Sequence, residues 1–276
     1  MNALASTIGI HAEDLHKRFR IDPHGTLFTK IVAWANGWDH SFDLWAVRGI
    51  SLDVRAGQVV GIVGRNGSGK STLLRLIAGI YRPSVGQVEI KGRLVSLIDL
   101  GSGMQQRMTL RDNIYVQGTL LNMTREMIEE AFDSILEFAE LTGYEHLQLF
   151  QCSNGMRARL CFSIALHSAP QVLLLDEVFS AGDGWFVKKS QEAMEQLIKS
   201  NIAVVQVSHN SDLLRKICDR VLWLEQGSLR MEGDPIQVLD AYEKSCNQPG
   251  ADPTVLIDRK PHSSYALERR ERVLTA

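Results

Sequence analysis

The chain has 276 residues, of which 45% are hydrophobic and 22% charged, an ordinary globular composition that argues against wholesale disorder and suits one large or two small domains. Its 30 Lys and Arg oppose 32 Asp and Glu, for a net charge of −2, so composition lends no support to a nucleic-acid partner. Cys152, Cys161, Cys218 and Cys246 are scattered without a Cys-x-x-Cys pair, which argues against a zinc site or a disulfide scaffold and for reduced thiols.

The N-terminal stretch lacks a basic region followed by a long apolar run, so no secretory signal is expected. No apolar run approaches the ~18 residues that span a bilayer. Residues 8–20 read as a strand followed by a turn. Residues 21–45 hold Trp34, Trp38 and Trp45, three of five tryptophans, with Phe28 and Phe42. The alternation in 46–54 predicts a strand, and the β-branched run 59–64 a buried one. A glycine-rich loop leads into a helix over 71–80. Pro83 and Gly86 break the chain before further strand.

From about Thr109 the pattern turns helical. Thr109 and Thr124 read as N-caps, and Met127, Ala131, Ile135 and Phe138 fall at helical spacing as a core face. Residues 171–179 and 203–209 read as buried strands, with helices near 188–200 and 211–219. Residues 221–233 read as a hairpin around Gln226-Gly227, and Pro235 opens a last helix. The tail after it has linker composition and then a charged end. Alternating strands and helices, with an all-helical insertion, predict an α/β fold. Its core is a mostly parallel sheet, with an antiparallel β part and a helical subdomain.

Gly64-Arg65-Asn66-Gly67-Ser68-Gly69-Lys70-Ser71 matches G-x-x-x-x-G-K-[ST]. Glycines let successive N–H groups turn inward around phosphate oxygens, and the helix beginning at Lys70 adds its positive end. Lys70 is placed to reach the β- and γ-phosphates of ATP, and the Ser71 hydroxyl to ligate Mg²⁺. Val172-Leu173-Leu174-Leu175-Asp176 is the matching apolar strand, with Asp176 placed to hold Mg²⁺ through water. Glu177 follows at once, and a second carboxylate there suggests a general base for the attacking water.

These motifs resemble the ATP-binding subunits of ABC transporters, over roughly residues 8–245, which implies a P-loop NTPase (RecA-like) fold. The resemblance implies an ATP hydrolase that binds nucleotide through Gly64, Arg65, Asn66, Gly67, Ser68, Gly69, Lys70, Ser71 and Thr72. The family signature corresponds to Cys152-Ser153-Asn154-Gly155-Met156, matching at Ser153 and Gly155 and departing at the other three positions. In the family this loop caps the γ-phosphate bound to the opposite subunit, which implies a homodimer. His209 resembles the switch histidine, Asp183 the aspartate linking two sites across the dimer, and Phe19 the aromatic that stacks on adenine. A core role for Phe19 competes with that reading. The usual glutamine ahead of the helical block is missing: the aligned position is near Asp99 or Leu100.

Leu100-Gly101-Ser102-Gly103, Arg111-Asp112-Asn113-Ile114 and Trp45-Ala46-Val47 look like one subfamily, the exporters of lipid-linked polysaccharides such as O-antigens, capsules and teichoic acids. That likeness implies a separate transmembrane permease subunit, a lipid-linked glycan cargo, and a peripheral place on the cytoplasmic face of the inner membrane. The expected layout is an ATPase domain over 1–245, with a helical subdomain at about 109–168 and the Trp-rich insertion at about 21–45. Residues 246–276 form a short tail, so the carbohydrate-binding domain of many members is expected to be missing. The insertion reads either as packing over the core edge or as a contact with the membrane subunit or the headgroup region, where tryptophan is favoured. An importer or a lipid or drug exporter is the alternative with the same machinery. Two other classes, a soluble ABC protein on ribosomes or DNA and a P-loop kinase, lack support in the chain.

Overall fold

A computed structural model describes residues 8–21, 42–98, 101–176, 184–246 and 257–258. The expected α/β architecture is present as two sheets. The larger has the order β5-β6-β7-β3-β8-β9, from β3 (Val59–Val63), β5 (Leu94–Ser96), β6 (Val172–Leu175), β7 (Ala203–Val207), β8 (Arg220–Glu225) and β9 (Ser228–Gly233). Its first five strands are parallel, and β9 closes the edge as an antiparallel hairpin with β8. Every residue of β3, β6 and β7 is buried. This is why they read as nearly continuous apolar runs, broken only by Gln206 in β7, rather than as alternations.

The second sheet is antiparallel, in the order β10-β2-β1-β4. It contains β1 (Ile8–Ile21), β2 (Phe42–Arg55), β4 (Val85–Ile90) and the two-residue β10 (Ile257–Asp258). Helix α1 (Lys70–Ile77) lies between the sheets. Its Leu73, Leu74, Leu76 and Ile77 join Ile10, Leu15, Val47 and Ile50 of one sheet and Ile62, Leu174 and Val205 of the other in one core. Between β5 and β6 the chain makes α2 (Leu110–Leu120), α3 (Arg125–Ala139), a 3₁₀ turn (Leu149–Gln151) and α4 (Asn154–His167) around a separate core that includes Ile114, Ile128 and Leu160. Helix α5 (Gly184–Ile198) covers the other face of the parallel sheet, while α6 (Ser211–Ile217) and α7 (Pro235–Cys246) pack on its β8 end. Among the described residues no helix is long and apolar enough to cross a membrane.

The structure corrects several local expectations. Where a turn was expected at the end of 8–20, β1 continues to Ile21, because β2 pairs with it down to Ile21↔Phe42 and register shifts absorb the irregularities. Gly86 does not break the chain; it lies inside β4 at φ +84°, where a Cβ would fall 2.2 Å from the Asp14 carbonyl oxygen. The buried face of α3 is Ile128, Phe132, Ile135, Leu136 and Ala139, rotated from the expected stripe. Met127 and Ala131 are only partly buried against that core, and Phe138 turns to a second core with Phe162 and Phe186. The tail returns to pair Ile257 with Leu44 on β2. Of the Trp-rich stretch, Phe42 and Trp45 belong to β2, while Phe28, Trp34 and Trp38 lie outside the described residues.

Candidate nucleotide site

The site grows from the C-terminal ends of parallel strands, where open α/β sheets leave a crevice. Val63 ends β3, and the chain turns through Gly64, Gly67 and Gly69 at φ +155°, +80° and +103° before α1 begins at Lys70. L-residues disfavour these backbone angles, so the glycines are what allow the loop to curl. Lys70 is only 7% exposed. Its Nζ donates to the Gly64 carbonyl at 2.7 Å and to the Arg65 carbonyl at 3.1 Å, which satisfies a buried charge with loop acceptors.

Two distant segments brace the loop. The Gly227 N–H, in the β8–β9 turn, donates to the Ser68 carbonyl at 3.0 Å, and the Arg48 N–H of β2 donates to the Gly227 carbonyl at 2.8 Å. A Cβ at Gly69 would lie 2.3 Å from the Ala46 carbonyl oxygen, so β2 passes directly against the loop.

A cleft of about 330 Å³ opens beside it. From the loop and α1 come Asn66, Gly67, Gly69, Lys70, Ser71 and Thr72. Asp176, directly after β6, and His209 join them, as does Phe19 of β1. Residues from five separate stretches of sequence therefore face one space, the fifth being Leu44 and Ala46 of β2. Gly64, Arg65 and Ser68 do not line it. His209 is two residues beyond the end of β7 rather than in the strand, in the bend before α6. Ser153 is the N-cap of α4, its Oγ accepting from the Met156 N–H at 3.2 Å. Neither Ser153 nor Gly155 lines the cleft of its own chain. Glu177 and Asp183 lie outside the described residues, as do Asp99 and Leu100.

Sequence reading missed Leu44, Ala46 and Val207, which also line the cleft. Leu44 was accessible only through strand register: it sits opposite Phe19 in the β1–β2 ladder. Val207 occupies the last position of β7, a place that an apolar run alone does not mark.

The ABC transporter family profile matches residues 47–180. An O-antigen export system ATP-binding protein of Myxococcus xanthus is 36% identical over 84% of this chain and 54% of its own length. A teichoic acids export ATP-binding protein of Lactococcus lactis is 37% identical over 86% of this chain and 51% of its own. The chain thus spans about half the length of these two relatives. An O-antigen export system ATP-binding protein of Klebsiella pneumoniae is 36% identical over 72% of this chain and 81% of its own length. Among solved structures, an ATP-binding subunit of an ABC transporter superposes with a TM-score of 0.65 at 17% identity, covering 98% of this chain and 100% of that one. A dimeric ATP-binding cassette in a post-hydrolysis state with ADP and phosphate gives 0.64 at 20% identity, covering 82% and 98%; both establish likeness of fold. With the Klebsiella pneumoniae relative 36% identical and aligned over 81% of its own length, the chain belongs to the ABC transporter family.

Proposed function

We propose that the cleft binds Mg·ATP and that the chain hydrolyses it to power export of a lipid-linked polysaccharide through a separate transmembrane permease subunit. The observation that carries the ATPase reading is the single cleft shared by the glycine loop, Lys70, Ser71, Asp176, His209 and Phe19. The loop N–H groups and the N-terminus of α1 suit a triphosphate. Phe19 offers a ring for the base, and Lys70 a cation for the β- and γ-phosphates. The Ser71 hydroxyl and the Asp176 carboxylate are hard oxygen donors. Among the described residues no cluster of three or more His, Cys, Asp and Glu competes as a metal cage. Such a pair fits Mg²⁺, which keeps several waters and takes its other ligands from phosphate; when bound, the ion neutralises charge developing on the phosphate oxygens.

In this reading Glu177, which directly follows Asp176, takes a proton from the attacking water, and Lys70 and His209 hold charge at the γ-phosphate. Ser153 and Gly155, which stand away from their own cleft, would cap the nucleotide of a second copy in a head-to-tail homodimer. The N-terminus of α4, with the Ser153 hydroxyl, is chemically suited to an anion. Asp183 would link the two sites. The cargo reading is supported by the O-antigen and teichoic acid export relatives. It puts residues 1–245 to work as the ATPase on the cytoplasmic face of the inner membrane.

The test compares a strain lacking the gene with a Glu177→Gln strain. Both should lose surface polysaccharide and accumulate lipid-linked glycan inside, and purified Glu177→Gln protein should bind ATP, dimerise and barely hydrolyse it. Unchanged surface polymer in both strains would remove polysaccharide export, and rapid turnover by the variant would remove Glu177 as the base.

A further inference from the structure

Phe19 stands near the end of a long strand, and an aromatic ring can serve as a base platform only if its side-chain torsions are held. The support comes from outside the cleft. Tyr81, in the turn after α1, meets Phe19 edge to face, with ring centroids 5.5 Å apart and planes at 77°. The Lys17 Nζ lies over both rings, 5.1 Å from the Phe19 centroid and 5.6 Å from that of Tyr81. Neither Lys17 nor Tyr81 lines the cleft, whereas Phe19 does.

The turn that carries Tyr81 is stitched to β1 on both sides of this contact. The Lys17 Nζ donates to the Arg82 carbonyl at 2.8 Å, the Ser84 N–H to the His16 carbonyl at 2.8 Å, and the Arg18 N–H to the Ser84 Oγ at 3.0 Å. At its other end the Tyr81 N–H donates to the Arg75 carbonyl of α1 at 3.1 Å. Helix α1 begins at the phosphate loop. One ring therefore ties the helix under the phosphates to the ring under the base.

We infer that Tyr81 is a positioning residue for nucleotide base recognition: it holds the Phe19 ring at a set distance from the phosphate loop. This rests on the reading of Phe19 as the base platform. Edge-to-face pairs of this geometry add measurably beyond buried area, and the stack they support is sequence-tolerant. Loss of Tyr81 therefore weakens what the base contributes and leaves the phosphates alone. The split between the two is the signature, because a general loss of stability would weaken both.

The experiment measures Kd for ATP and for inorganic tripolyphosphate on the full chain by competition against a fluorescent nucleotide. The variants are Phe19→Ala, Tyr81→Leu, Tyr81→Phe and, as a second route, Lys17→Met, each checked for its thermal midpoint. Tyr81→Leu should weaken ATP by about twofold to twelvefold, the range an aromatic pair is worth. Tripolyphosphate affinity should stay unchanged, Tyr81→Phe should restore ATP binding, and Lys17→Met should shift ATP binding in the same direction. If Phe19→Ala weakens ATP selectively but Tyr81→Leu and Lys17→Met do not, the positioning role is overturned and Phe19 stands alone. If Phe19→Ala leaves the ratio of the two affinities unchanged, the base-platform reading falls and takes the Tyr81 role with it. An equal loss for both ligands in Tyr81→Leu and Lys17→Met also overturns the proposal.

Discussion

Gly67 and Gly69 provide a paired test of how the phosphate loop is built. Both have positive φ, +80° and +103°, so alanine at either is strained by about 1–2 kcal/mol. Their surroundings differ. A Cβ at Gly67 meets nothing within 4 Å, while one at Gly69 would lie 2.3 Å from the Ala46 carbonyl oxygen and 3.5 Å from the Gly227 Cα. Because Ala46 lies within β2, relief would require moving a strand that pairs with β1 on both sides of it, at Trp45 and Val47. Forcing atoms into a packed site costs about 1–3 kcal/mol. Gly69→Ala should therefore lose about 2–5 kcal/mol and Gly67→Ala about 1–2 kcal/mol. Urea denaturation of the purified chain without nucleotide measures both. Equal losses would show that the close approach of β2 is wrong, and a neutral Gly69→Ala would show that the loop does not take this conformation.

Three further outcomes are expected. Thr109 and Asp112 form a reciprocal cap at the start of α2, with the Asp112 N–H 3.1 Å from the Thr109 Oγ and the Thr109 N–H 3.3 Å from the Asp112 carboxylate. Thr109→Ala should cost about 0.5–2 kcal/mol in the same urea assay. Burial pushes the Cys161 and Cys218 thiols up to about 12, far from the thiolate form that reacts at neutral pH, whereas Cys246 is exposed. Iodoacetamide followed by mass spectrometry should label Cys246 in the native chain and reach Cys161 and Cys218 only after denaturation. Lys70→Ala removes the donor to the Gly64 and Arg65 carbonyls together with the cation facing the cleft. ATP hydrolysis by the purified chain should fall at least about a hundredfold, the scale of losing one transition-state charge contact.

Much of the fold was legible because it is written in local pattern. The apolar runs of β3, β6 and β7, the threonine caps of α2 and α3, and the Gln226-Gly227 turn each depend on residues a few positions apart. The glycine loop was equally legible, since a motif of eight residues carries its own backbone geometry. The face of α3 was not. Apolar side chains lie on two adjacent stripes of that helix, and the choice between them was made by Leu160 and Ile164 of α4 on one side and by Phe162 of the same helix with Phe186 of α5 on the other.

Local pattern carried the parallel core, the glycine loop, and the positions of Lys70, Ser71 and Asp176 at the ends of their elements. Long-range packing set the run of β1 on to Ile21, the place of Gly86 inside β4, and the walling of the cleft by Leu44 and Ala46. It alone set Tyr81 against Phe19, 62 positions earlier in the chain. The two differ in range. Backbone angles and apolar periodicity are set by near neighbours, while strand register and ring contacts are settled by which distant surfaces the core brings together.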